Sequence, residues 1–188
     1  MPFVDVHSSD WFYPFVRAVW EQQLFNGTSH DTFTPQGNMA RSMFVQVLAN
    51  IEGVDLTAYS TTIPTFSDTN TTAWYYGAVE WARRRKAPGR PITRQEMAVL
   101  LNNYIVSRNI SLPQGATSLF TDQADISAWA VDGVSAIQVA EIISGYPDGS
   151  FNPSGTATRA EAATIFARFL EAADLPRRDN LTAVQDEE

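Results

Sequence analysis

Apolar residues recur at helical spacing in three separated stretches of the chain. Phe44, Val47, Leu48 and Ile51 form one stripe, Met97, Leu100, Leu101, Tyr104 and Ile105 a second, and Ala162, Phe166, Phe169 and Ala173 a third. Each stripe is preceded by a shorter segment that begins near a tryptophan and carries a bulky face of its own. Those faces are Phe15, Val19 and Trp20, then Tyr75, Val79 and Ala82, then Val134, Ile137 and Ile142. The pattern predicts an all-α chain of six main helices, grouped as three helix-loop-helix units. One unit cannot cover its own stripe, so the three are expected to pack around a common axis and share one core.

The units are also related residue by residue. Phe3-Val4-Asp5, Phe66-Ser67-Asp68 and Phe120-Thr121-Asp122 lead, eight or nine residues later, to Trp11, Trp74 and Trp129. Each unit then reaches a related helix start: Met39-Ala40-Arg41-Ser42-Met43, Ile92-Thr93-Arg94-Gln95-Glu96 and Ala157-Thr158-Arg159-Ala160-Glu161. From the opening Phe to the closing Arg the units span 38, 28 and 39 residues, so the middle copy is about ten shorter. The loss is local, because Gly27, Phe33 and Pro35 are spaced like Gly145, Phe151 and Pro153 while the second unit has no such loop. This divides the chain into repeats at 2–56, 65–110 and 119–174, joined by polar connectors at 55–64 and 111–118 and followed by a polar tail at 175–188.

Composition narrows the function. A chain of 188 residues that is 44% apolar and 12% aromatic can build a packed core. A net charge of −8 argues against a nucleic-acid partner, which needs a dense basic footprint. The single basic run, Arg83-Arg84-Arg85-Lys86, reads as a solvated helix end. There is no cysteine, which removes disulfides, thiol nucleophiles and cysteine metal sites. No apolar stretch reaches the ~18 residues that suggest a membrane span, so no membrane insertion is expected. His7 and His30 have no partner at ligand spacing, and Asp148-Gly149 lacks the alternating acids of a calcium loop, so neither a cofactor nor a metal is expected. No enzyme constellation is present.

Thr93/Glu96 and Thr158/Glu161 match a helix capping box, in which the hydroxyl and the carboxylate satisfy backbone N–H groups at the helix start. That leaves the intervening arginine unexplained, because a cation in the first turn opposes the helix dipole. The first unit keeps Arg41 while losing both cap residues to Ala40 and Met43. The arginines therefore read as functional, with a salt bridge to a neighbouring acid as the alternative. What recurs three times is an acid, an aromatic ring and an arginine. A guanidinium fork binds a carboxylate, an aspartate accepts hydrogen bonds and a tryptophan face packs on a sugar ring, a set suited to an acidic carbohydrate. Core packing is the alternative for the tryptophans, and turn or helix capping for the aspartates.

The order Phe-x-Asp, Trp, apolar helix, Gly-Tyr-Pro-Asp-Gly-Ser-Phe-Asn-Pro and Thr-Arg-Ala-Glu, complete at 120–161, resembles the S-layer homology domain of bacterial envelope proteins. The resemblance implies a pseudo-threefold bundle with three projecting prongs, secreted to the cell wall or S-layer of a bacterium. It also implies a non-catalytic anchoring role on an anionic, pyruvylated secondary cell wall polysaccharide bound in grooves between repeats. Carried over, it implicates Arg41, Arg94, Arg159, Asp5, Asp68, Asp122, Trp11, Trp74, Trp129, Gly27 and Gly145 as ligand-binding. Two other readings stay open: a peptidoglycan-binding module of a diderm envelope, and a degenerate protein-protein or S-layer assembly module. The first repeat begins at Phe3, directly behind Met1-Pro2, which suggests a piece of a longer exported protein fused to a further domain. The third repeat is expected to hold the strongest site and the shortened second, with Arg94, the weakest.

Overall fold

A computed structural model describes residues 1–59, 70–82 and 90–175. Its helices are α1 (Tyr13–Glu21), α2 (Arg41–Ile51), α3 (Tyr76–Trp81), α4 (Arg94–Ser107), α5 (Val131–Val139) and α6 (Arg159–Ala172), with short 3₁₀ turns at Leu56–Tyr59 and Gln123–Asp125. No strand occurs among the described residues, so the protein is all-α. No helix among them is long and apolar enough to cross a membrane. The basic run at 83–86, the opening motif Phe66-Ser67-Asp68 and the tail from residue 176 lie outside the described residues, as does residue 60 onward of the first connector.

The helices pair across units. α1 packs on α6, α3 on α2 and α5 on α4, so the first helix of each unit lies on the second helix of the unit before it, and the first unit closes on the last. At the centre the segments entering α2, α4 and α6 join in a ring. Met39 N–H donates to the Ala157 carbonyl (2.8 Å), Ala157 N–H to Ile92 (3.0 Å) and Ile92 N–H to Met39 (2.8 Å). All three residues are fully buried, and each uses its backbone donor and acceptor inside the ring, as a dry axis requires.

The predicted stripes line one core. Phe44, Leu48, Met97, Leu101, Phe166 and Phe169 are completely buried, and Phe166 meets Phe44 at 4.8 Å and Phe25 at 5.8 Å between ring centroids. Two details of the first helices differ from expectation. The inward residue of α1 is Val16, with Phe15 only half-buried, because α1 starts two residues past Trp11 and its register is set by Val16 and Val19. Ile142 is buried beyond the end of α5, where the chain turns after Val139.

Both capping boxes are present. Thr158 accepts from the Glu161 N–H (3.2 Å) while Glu161 accepts from the Thr158 N–H (2.7 Å), and Thr93 and Glu96 do the same at 3.4 and 3.0 Å. Thr158→Ala removes the cap bond from the Glu161 N–H and the hydroxyl's bond to the Glu161 carboxylate, but no groove-lining group. It is expected to cost about 0.5–2 kcal/mol in thermal or denaturant unfolding, and an unchanged midpoint would contradict the cap's contribution.

Candidate functional site

The loops of the first and third units are folded by the same device. Asp5 accepts from the N–H groups of Phe33 (2.8 Å) and Thr34 (2.7 Å), and Asp122 from those of Phe151 (2.8 Å) and Asn152 (2.7 Å). Phe3 packs on Phe33 at 5.4 Å and Phe120 on Phe151 at 5.1 Å. Gly27 and Gly145 complete the fold-back, since a Cβ there would sit 2.4 Å from the Ser29 carbonyl oxygen or 2.7 Å from that of Ser150. The two glycines also line grooves, whereas Asp5 and Asp122 line neither of the grooves below. Both oxygens of each aspartate accept from the loop backbone, which is the turn-capping alternative for these residues.

One groove, of about 490 Å³, lies where the loop of the third unit meets the second and the first. Arg94, 4% exposed, donates from Nε to the Phe151 carbonyl (2.7 Å) and from Nη1 to Glu161 (2.9 Å). Its guanidinium lies 4.5 Å from the Tyr146 ring centroid, and the Tyr146 hydroxyl donates to Glu161 (2.7 Å). Burial alone would raise the Glu161 pKa, but the Thr158 N–H, the Tyr146 hydroxyl and Arg94 outweigh it and hold the carboxyl below its ordinary value. Trp11 of the first unit and the half-buried Arg168 complete the lining.

A second groove, of about 550 Å³, repeats this plan one unit further round. Arg159, 6% exposed, donates from Nε to the Phe33 carbonyl (2.7 Å) and from Nη2 to that of Asn26 (2.8 Å), with Phe33 below it at 4.5 Å. Where the first groove has Glu161, this one has Met43, whose sulfur lies 3.9 Å from Nη1. Burial brings the Arg159 pKa down to about 10, with Asp5 acting against the shift. Trp74 of the second unit and Gln46 complete this lining.

Arg41 occupies the third equivalent place. It donates to Glu96 (3.1 Å), which also pairs with Arg90, and its backbone N–H bonds to the Arg90 carbonyl (3.2 Å). The loop that would face it belongs to the second unit, of which residues 83–89 lie outside the described residues.

Each groove is thus built from three units: the loop of one, the arginine of the unit before it and a tryptophan of the remaining one. Arg94 does not serve the shortened unit but the complete loop of the third, and Arg41 is the arginine turned toward the shortened one. This crossing changes which loop each arginine faces, with Arg94 against a complete loop and Arg41 toward the shortened unit. Trp11, Trp74 and Trp129 are 59%, 64% and 58% exposed, so none is a core residue. Trp11 and Trp74 line the two grooves, and Trp129 is open to solvent outside them. Asp68 lies outside the described residues. His7 and His30 are exposed. Sequence reasoning missed Tyr146, which sits inside the quoted loop motif, and Met43 as a groove residue. The signal for Met43 was available: it stands two positions after the arginine, where the other units have glutamate.

The S-layer homology domain family model matches residues 2–42 and 119–163, the two units with complete loops. The chain belongs to the S-layer homology domain family. An endoglucanase of Bacillus sp. (strain KSM-635) is 31% identical over 90% of this chain and 19% of its own length. A cellulosome-anchoring protein of Acetivibrio thermocellus is 36% identical over 45% of this chain and 19% of its own length. The surface-layer 125 kDa protein of Lysinibacillus sphaericus is 40% identical over 32% and 5%. The chain spans about a fifth or less of these relatives.

Proposed function

We propose that this chain is a non-catalytic module that anchors a larger secreted protein to the bacterial cell wall by binding an anionic, pyruvylated secondary cell wall polysaccharide. The observation that carries the reading is a buried arginine beside an open tryptophan in each of two like grooves. A solvent-facing indole supplies an apolar platform for a sugar ring, and a guanidinium in a poorly hydrated cleft supplies charge-assisted hydrogen bonds to an acidic substituent. The anchoring and surface-layer relatives support the same reading. The relatives named as glycan-degrading enzymes share only a small part of their length with this chain, so their activities are not carried over.

Co-sedimentation with purified wall sacculi, before and after the secondary polymer is stripped, tests the proposal. Binding that disappears on stripping is the expected result. Binding that survives stripping would assign the module to peptidoglycan instead, and no binding to either preparation would favour a protein assembly role.

A further inference from the structure

One step of the first-unit loop carries chemistry of its own. Of the nine asparagines in the chain, only Asn26 is followed by glycine. At an Asn-Gly step the backbone nitrogen reaches the side-chain amide carbon with least hindrance, because glycine has no Cβ to crowd the attack. Asn26 is exposed, and neither its side-chain amide nor the Gly27 N–H has a hydrogen-bond partner among the described residues. No bond has to break before the two meet. The peptide between them is held by a cation. Arg159 Nη2 donates to the Asn26 carbonyl (2.8 Å), whose carbon is bonded to the Gly27 nitrogen. Arg159 is 6% exposed and pairs with no carboxylate among the described residues, so its charge bears on this carbonyl and on that of Phe33. When the Gly27 nitrogen gives up its proton, the negative charge is shared with the Asn26 carbonyl oxygen. A guanidinium donating to that oxygen stabilises the anion as an oxyanion hole does. In the loop of the third unit the corresponding residue is Ser144, and Arg94 donates to the Phe151 carbonyl and Glu161 instead.

We propose that Asn26-Gly27 is a self-modification site, at which Arg159 activates the peptide for conversion of Asn26 to an isoaspartyl or aspartyl residue. The deprotonated Gly27 nitrogen attacks Asn26 Cγ. The N–Cγ bond forms, the Cγ–Nδ2 bond breaks, and Nδ2 takes up a proton and leaves as ammonia, giving a cyclic imide. One water then adds to either imide carbonyl and opens the ring, so neither step needs an oxidant or a reductant. Arg159 donates to the backbone carbonyl of the two, so water adds there preferentially and the bond from that carbon to the Gly27 nitrogen breaks. The main chain then runs through the former side chain, and the new carboxylate stands where Arg159 held the carbonyl. Either product puts a carboxylate in the groove that Asn26, Gly27 and Arg159 line. The isoaspartyl product also adds a carbon to the backbone of a loop in which a Cβ on Gly27 would already lie 2.4 Å from the Ser29 carbonyl oxygen. On the reading that this groove grips an acidic glycan, the aged chain carries its own competitor, and wall binding declines with the age of the protein.

The full chain, incubated in mildly alkaline buffer made with heavy-oxygen water and then digested, tests this by mass spectrometry with electron-transfer fragmentation. Position 26 is expected to convert ahead of the other eight asparagines and to take up one labelled oxygen. The folded parent should convert faster, and with a larger isoaspartyl share, than the parent in guanidinium chloride. Arg159→Gln, shown to be folded by near-ultraviolet circular dichroism, should slow conversion about tenfold, the loss of one charge-assisted hydrogen bond, and Arg159→Lys should recover part of the rate. Conversion of the folded parent no faster than in guanidinium chloride, or equally fast in folded Arg159→Gln, overturns the proposal. The first comparison needs no variant and stands if the substitution prevents folding. Sacculus sedimentation of fresh and aged chains reads the consequence. Parent binding should fall in step with the modified fraction, whereas Asn26→Ser, which takes the residue found at Ser144 and cannot form the imide, should not lose binding on ageing. An equal decline in both overturns the link between modification and binding. A fresh parent that binds no sacculi overturns the anchoring reading and leaves the modification standing, and an aged parent that is unmodified and still binds does the reverse.

Discussion

Arg159→Gln should lower affinity for the acidic wall polymer roughly ten- to a hundredfold, the equivalent of losing one charge-assisted hydrogen bond of about 1.5–3 kcal/mol. It should exceed the effect of Arg41→Gln. Arg41 is turned toward the shortened unit and is already paired with Glu96, whereas Arg159 lies against a complete loop with Met43 in place of an acid. Glutamine keeps a donor near the Phe33 and Asn26 carbonyls, so folding is less disturbed than by alanine. Sedimentation with sacculi over a polymer titration gives the comparison, and near-ultraviolet circular dichroism confirms the fold. Equal binding by folded Arg159→Gln and parent chains would mean that the buried cation takes no part in the grip.

How far the sequence could be read follows from which interactions are local. The six helices and their apolar stripes are properties of consecutive residues, and so are the capping boxes, so both emerged from spacing. The composition of a groove is not local. It depends on the order in which the units close, with α1 on α6, α3 on α2 and α5 on α4, and spacing within one unit carries no trace of that. Arg94 was therefore assigned to the shortened unit, although its guanidinium rests on Tyr146 and the Phe151 carbonyl of the next. The tryptophans illustrate a second limit. An aromatic residue beside an apolar helix fits either core or platform, and only the fold shows that Phe12 and Val16 are buried while the Trp11 indole, edge-on to Phe12, stays outside. For the arginines, the salt-bridge alternative holds at two of the three positions. Arg41 and Arg94 are salt-bridged and Arg159 is not, a difference written in the single replacement of glutamate by Met43.

Arg94→Ala should separate stability from binding in the opposite sense. Arg94 joins the second unit to the third through the Phe151 carbonyl and Glu161, and it is almost fully buried. Removing one partner of a buried pair leaves the other charge uncompensated and typically costs about 3–5 kcal/mol, partly recovered here because Tyr146 and Thr158 still donate to Glu161. The pH dependence gives the diagnostic. In the parent the Glu161 carboxyl is held below its ordinary value, so its stabilising contribution is present above the unfolded-state pKa and is lost as pH falls through the lower folded value. Without Arg94 one of the groups that depress this pKa is gone, while burial, which raises it, remains. The stability of Arg94→Ala should therefore depend less on pH across the acid range, and the difference between parent and variant should shrink as pH falls. Denaturant unfolding from neutral pH down to the carboxylate range measures both curves. Parallel curves with a constant offset would assign Arg94 a packing role alone, and its ion pair with Glu161 would not be what holds the third unit's loop against the second.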